Sequence, residues 1–262
     1  MNENYRNYYA YRILEIIPGF LVWTTFIVAI VLSFLAPIWG IYFIIAFDLC
    51  WVLRLSYMWI HLIISWKKYR RAIKIDWQKK LKEECTTWND YYHIIFLPTA
   101  GEPQEIIDTT LSKLTQVKYD TKKFIVVLAG EGRFTEHFQP IADHVIKKYE
   151  SYFHKIIITL HPDNIEGDVV GKGSNLYHAG HEVKKYIDAN NYNYEKLIVS
   201  TFDIDTITHP QYFSYLTYLF LTHSDPYHAS FQPMAFYHNN VCDSDIITRV
   251  VSNCTAFCLL TE

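Results

Sequence analysis

The chain has 262 residues and a net charge of −3, with hydrophobic residues at 50% and aromatics at 17%. That length holds one large domain, or one medium domain with an appendage, and the charge balance supplies no basic stripe to displace phosphate counterions, which excludes nucleic acid as an electrostatically driven partner. The five cysteines, Cys50, Cys85, Cys242, Cys254 and Cys258, form no CxxC pair and are odd in number, so reduced thiols in a cytosolic setting are expected.

The apolar excess lies in the first quarter. Phe20 to Ala36 reads FLVWTTFIVAIVLSFLA without a charge, and a helix of that length reaches about 26 Å, enough for a bilayer core. Pro37 and Gly40 are expected to break the run before a second one, from Ile38 to Trp66. The pattern predicts a two-helix transmembrane hairpin in residues 1–66, with spans at about 20–36 and 38–66. A signal peptide is the competing reading. The polar, tyrosine-rich lead before Phe20 and the immediate second run argue against it. Arg6 and Arg12 precede the first span, the turn at Pro37 is uncharged, and Lys67, Lys68, Arg70, Arg71 and Lys74 follow the second. This asymmetry places both ends, and the domain that follows, in the cytoplasm.

Within the second span Asp48 falls near the midplane and Arg54 close enough to the inner edge to snorkel. An acid at that depth is either a functional group or one that is protonated or bonded to another helix. Residues 67–90 read as an amphipathic linker helix, with Ile73, Trp77 and Leu81 on one stripe, lying on the membrane surface or under the next domain.

Residues 91–262 change character. Short β-branched runs at Tyr92 to Leu97, Lys123 to Leu128, Lys155 to Leu160 and Lys196 to Phe202 alternate with helical patterns at Pro103 to Thr115, Thr135 to Phe153, Ser174 to Ala189 and Pro210 to Leu221. Continuous apolar strands suit burial on both faces, so an α/β fold with an open, mostly parallel sheet is predicted. Ligands in such sheets sit beyond the carboxyl ends of the strands.

The first strand runs into LPTAGEP, Leu97 to Pro103, where two prolines fix the loop, Gly101 permits close approach and Glu102 offers an acceptor. After the third strand comes EGDVVGKGSNLYHAGHEV. It is not a P-loop, because only three residues separate Gly167 from Gly171 and glycine, not Ser or Thr, follows Lys172. Either it is a plain flexible loop, or it presents Lys172 beside a helix opened by Ser174 or Asn175 whose amino end favours phosphate. His178 and His181 share a helix face without a third ligand nearby in sequence, and surface positions are expected for both. Two acid-x-acid pairs follow. Asp203 and Asp205 leave the fourth strand, where a metal pair or a solvated exit with Thr206 and Thr208 capping the next helix are both open readings; Asp243 and Asp245 precede IITRVV, where helix capping is expected.

Taken in order, FLPTAGEPQEIIDTTLSKL, GKGSNLYHAG and STFDIDTITHPQYFSYL resemble a family 2 glycosyltransferase with a GT-A fold, the nucleotide-diphospho-sugar transferase type. The closer resemblance is to the membrane-attached, polysaccharide-synthase-like members, and it covers about Tyr92 to Leu221. It implies that Pro98, Thr99 and Glu102 line a nucleotide pocket, that Lys172 and Asn175 lie beside it, and that Asp203 and Asp205 hold the donor diphosphate through Mg²⁺ or Mn²⁺. The implied function is an inverting transfer from a nucleotide-diphosphate sugar to a glycan or lipid-linked acceptor at the membrane.

The pattern departs from the family in two places. Where relatives carry an aspartate after the second strand that recognises the base, this chain has Ala129, with Glu131 two residues on; either Glu131 substitutes or the donor nucleotide is held differently. The carboxylate base of an inverting transfer is expected beyond Glu262, in a chain that reads as truncated in mid-domain. The alternative is a non-catalytic module of the same build that binds a nucleotide-sugar as a scaffold. A sugar-nucleotidyltransferase would need basic residues in the first loop, and PTAGEP has none.

Overall fold

The structure, a computed structural model, describes residues 3–163, 165, 171–236 and 245–261. Gly167, Cys242, Asp243 and Glu262 lie outside the described residues. Contacts divide the chain into two units, Met1–Ala72 with Pro233–Glu262, and Ile73–Gln232.

In the first unit, α1 (Glu3–Leu35) and α2 (Pro37–Ala72) pack against each other. Both are long and apolar enough to cross a membrane. The break between them is narrower than the sequence pattern predicts. Only Ala36 leaves the helical path, and Pro37 opens α2, the first-turn position at which its missing N–H costs nothing. Gly40, expected to help break the run, instead lies buried inside α2 against the Ser33 backbone of α1. The hydroxyls of Thr25, Ser33 and Ser56 each donate to the carbonyl four residues back, which satisfies them within their own helix. The third helix of this unit, α8 (Ile246–Thr261), packs on α2. Asp245 caps it, its carboxylate accepting from Thr248 N–H at 3.2 Å.

The expected linker helix is shorter than its stripe implied. Helix α2 runs on to Ala72, and a separate helix, α3 (Trp77–Glu84), starts where the Asp76 carboxylate accepts from Lys79 N–H. Trp77 and Leu81 are buried, with the Trp77 ring 4.1 Å from that of Tyr215. The α3 stripe therefore serves the core of the second unit, and Ile73 stays outside it, exposed.

That unit is an α/β fold around four parallel strands, β1 (Tyr92–Pro98), β2 (Phe124–Glu131), β3 (Lys155–His161) and β4 (Leu197–Thr201), in the order β3-β2-β1-β4. Between and after them run α4 (Gln104–Leu114), α5 (Thr135–Tyr149), α6 (Lys172–Ala189) and α7 (Tyr212–Thr222). Alternate strand residues divide the core. Ile95, Leu97, Val126 and Leu128 pack with α4, α5 and Phe213 of α7, whereas Ile94, Phe96, Ile125 and Val127 pack with Ala179, Val183 and Ile187 of α6. This is why the strands read as unbroken apolar runs.

Strand β4 is the exception. It was expected to be covered on both faces, but α6 packs chiefly on β1, β2 and β3; on that side Leu197 reaches the cluster around α6 while Val199 remains 61% exposed, and on the other Ile198 packs under α7.

The amino end of the sheet holds one polar group in an apolar setting. His93 is fully buried, with its ring edge-on to Tyr119, Phe124 and Phe213. The Thr217 hydroxyl, 2.9 Å from His93 Nε2, is the ring's hydrogen-bond partner, and it also reaches the Phe213 carbonyl and the Tyr119 oxygen. Burial drives the imidazole pKa down to about 3.

Candidate active site

The strand order reverses between β1 and β4, and that crevice at the carboxyl edge is where a parallel sheet offers its ligand site. Here it opens into a pocket of about 260 Å³ lined by Pro98, Thr99, Ala100, Glu102, Ile106, Glu131, Lys172, Asn175, Asp203, Ile204 and Asp205. Every residue singled out in the sequence on the strength of the resemblance lies on this wall. They come from four separate segments spread over more than a hundred positions of the chain.

Each segment is positioned by a local device. After β1, Thr99 N–H donates to the Ala129 carbonyl at 2.8 Å and carries the ladder one residue past the strand. The loop then curls on Glu102, whose Oε2 accepts from the Thr99 hydroxyl and the Ala100 N–H, both at 2.6 Å. Gly101 makes the curl possible with φ +96°, and any Cβ there would press on the Phe134 ring at 3.1 Å. Glu102 thus braces the loop with one oxygen, a role its place in the sequence does not reveal.

The Ala129 carbonyl also accepts from Asn175 Nδ2 at 2.8 Å. One oxygen on β2 therefore ties the β1 loop to the first turn of α6. Asn175 is buried, and its Oδ1 has no hydrogen-bond partner. Helix α6 begins at Lys172, two residues before the expected start. That places the lysine in its first turn, beside the pocket.

Glu131 ends β2. Its side chain is almost fully buried, and Arg133 Nη2 stands 2.6 Å from its Oε2. The arginine is a partner that composition and spacing do not reveal.

After β4 the extended chain continues. Phe202 N–H donates to the Phe96 carbonyl, and side chains keep alternating, with Asp203 exposed, Ile204 buried and Asp205 exposed. The Ile204 side chain enters the main core, and its carbonyl accepts from the Thr110 hydroxyl at 2.6 Å. The middle residue is thus an anchor, and the two carboxylates are held out together because of it. Thr206 N–H donates to the Asp203 carbonyl and closes a turn. Neither Thr206 nor Thr208 caps α7, which starts later, behind Gln211.

The pocket is rich in acids. Four carboxylates, of Glu102, Glu131, Asp203 and Asp205, line it with one lysine; that lysine is paired with Asp203 and Arg133 with Glu131. Carboxylates crowded at the mouth of a sheet repel one another unless a cation joins them, and Asp203 already takes a cationic group. Among the described residues no group of three or more His, Cys, Asp or Glu gathers into a self-sufficient metal cage. His178 is half-buried, with its ring 5.4 Å from that of His161, whereas His181 lies exposed against Tyr177.

No protein-family model matches this chain, and a search of curated proteins finds no match to it.

Proposed function

We propose that the protein is a membrane-anchored glycosyltransferase of the GT-A, family 2 type that takes a sugar from a nucleotide-diphosphate donor to a glycan or lipid-linked acceptor. The observation that carries this reading is convergence. Loops after β1, β2 and β4 and the first turn of α6 deliver Pro98, Thr99, Glu102, Glu131, Lys172, Asn175, Asp203 and Asp205 to one pocket at the switch point of a parallel sheet. A sugar diphosphate needs a group for the base, a cation for the phosphates and room for the sugar. Glu131 supplies an acceptor for base N–H groups, and Lys172 stands where a phosphate would meet the amino end of α6.

The residues present fit a hard divalent cation. Asp203 and Asp205 offer oxygen donors from one short turn, and Asp203 holds the Lys172 ammonium; Mg²⁺ or Mn²⁺ would be held there with diphosphate oxygens completing the shell. A bound ion of this kind supplies Lewis-acid stabilisation of the departing diphosphate. The chain's own part is to orient the donor against the braced Thr99–Glu102 loop and to keep the carboxylates in register through Ile204. The hairpin of α1 and α2 is the membrane anchor in this reading. The excess of basic residues flanking it then supports a cytoplasmic side for the α/β unit.

Binding of UDP-, GDP- and TDP-sugars, measured by calorimetry with and without Mn²⁺, tests the proposal. Metal-dependent binding of at least one diphosphate is expected, with a loss of ten-fold or more in Asp205→Ala. Equal binding by that variant, or no metal-dependent binding of any diphosphate, overturns it.

A further inference from the structure

Beyond the hairpin, and resting on the reading of α1 and α2 as membrane-inserted, we propose that α8 enters the same bilayer from the basic end of α2. Two ring contacts give its direction. Phe236 lies 5.6 Å from Tyr69, and Phe257 lies 6.5 Å from Trp59. Phe236 precedes α8 by ten residues and Phe257 lies within it; a parallel α8 would put Ile246 about 31 Å along α2 from the level of Tyr69, close to the limit that ten residues reach fully extended, so α8 runs antiparallel to that helix. Ten residues of α2 are about 15 Å. Phe257 therefore sits about 15 Å further into the hairpin than Tyr69, which neighbours the Lys67, Lys68, Arg70 and Arg71 cluster.

Counting back along α8 at the same rise places Ile246 level with about Arg70 and Arg249 with about Lys67. The charged cap at Asp245 and the guanidinium of Arg249 thus lie at headgroup level. Beyond Arg249, Val250 to Leu260 carries no charge.

The faces of α8 agree with this placement. Ser252, Ala256 and Leu259, spaced four and three residues apart, are half-buried on one side, while Ile247, Val250, Val251 and Cys254 are exposed. A water-facing surface of valine and isoleucine two turns long is costly, whereas lipid is a suitable solvent for it. The exposed apolar surface is continuous in kind with that of α2, whose Leu55, Trp59 and Ile63 are exposed at the same levels. The Thr255 hydroxyl donates to the Val251 carbonyl at 3.0 Å, the same device that satisfies Thr25, Ser33 and Ser56 in the hairpin. The occupant of the exposed α8 face is thus acyl chain.

The test uses the full chain in lipid vesicles made leaky, so that a charged, membrane-impermeant maleimide reaches both sides. Cys50 in α2 serves as the internal reference, and Lys184→Cys on the exposed face of α6 as the water-facing control. Cys254 is expected to label at a tenth or less of the control rate and to match Cys50, and lipids with photoactivatable acyl chains are expected to mark peptides of both α2 and α8. Labelling of Cys254 at the control rate, with Cys50 protected, overturns the inference and leaves the hairpin standing. A protected Cys254 without acyl-chain adducts on α8 also overturns it, since protein then covers the face. Fast labelling of Cys50 removes the hairpin, and the α8 inference with it.

Discussion

The two units use the same residue types in opposite ways. In β1, Ile94 and Ile95 are 2% and 0% exposed, whereas in α2 the adjacent Ile44 and Ile45 are 53% and 56% exposed. Isoleucine in the sheet is removed from water by α4, α5 and α6 packing on the two faces. Ile44 and Ile45 keep about half of their surface outside the contacts that α2 makes with α1 and α8. Burial within the protein stabilises a fold at roughly 25 cal/mol per Å² of apolar surface, and the hairpin forgoes most of that unless lipid covers it.

The contrast breaks most visibly at phenylalanine. Phe124→Ala, in the fully buried centre of the aromatic cluster with Tyr119, Phe153 and Phe213, is expected to cost about 3–5 kcal/mol by removing a large side chain from a packed core. Phe47→Ala, on the exposed side of α2, is expected to change the stability of the α/β unit by less than about 0.5 kcal/mol. Hydrogen exchange of the β2 amides in the two variants reads the difference, and equal protection in both would erase the distinction drawn between the units.

A smaller effect separates buried from solvated titrating groups. His93 has its pKa lowered to about 3 by burial, so between that value and about 6.5 the unfolded chain binds a proton that the folded one refuses. Stability is full above the unfolded pKa and falls as the pH drops through that window, by up to about 1.4 kcal/mol per pH unit. Replacing it with phenylalanine keeps the aromatic packing and is expected to flatten this slope in urea unfolding measured from pH 7 to 4, at the expense of the Thr217 hydrogen bond.

The smallest effect is expected at Asp108, which joins α4 to α5 through His144 at 3.0 Å and Lys148 at 3.2 Å. Burial pushes its carboxyl up, but bonds from Lys148, Tyr149 and His144 outweigh burial and hold it below the ordinary range. Its contribution is present above pH 4 and is lost as the pH falls below the usual carboxylate pKa. Asp108→Asn should cost about 1 kcal/mol or less at pH 7, and the difference from wild type should shrink at pH 3 in the same unfolding experiment.

Much of the fold was legible because its signals are local. The four strands start within one residue of the β-branched runs, since a parallel strand buried on both faces cannot hide its apolar composition. The site was legible in part. Asp203 and Asp205 stood out by following a strand at its carboxyl end, and the structure adds why both side chains are held out on the same side, through the Ile204 anchor. The second pair taught the opposite lesson, because Asp245 is a helix cap. The bracing by Glu102, the Glu131–Arg133 pair and the double load on the Ala129 carbonyl were not legible. Each depends on which backbone groups a loop leaves unsatisfied, and composition does not report that.

By itself the sequence determined the α/β class, the apolar hairpin and the position of each strand, because secondary structure and burial follow from periodicity along the chain. Only the tertiary structure decided that β4 would lie beside β1 with Val199 left open on one face, that α3 would serve the core, and that α8 would group with the hairpin. It also brought together residues from Pro98 to Asp205 around one pocket. The reason is physical: such placements are set by which apolar faces find each other across a hundred residues or more, and a local pattern states that a face exists without stating what it meets.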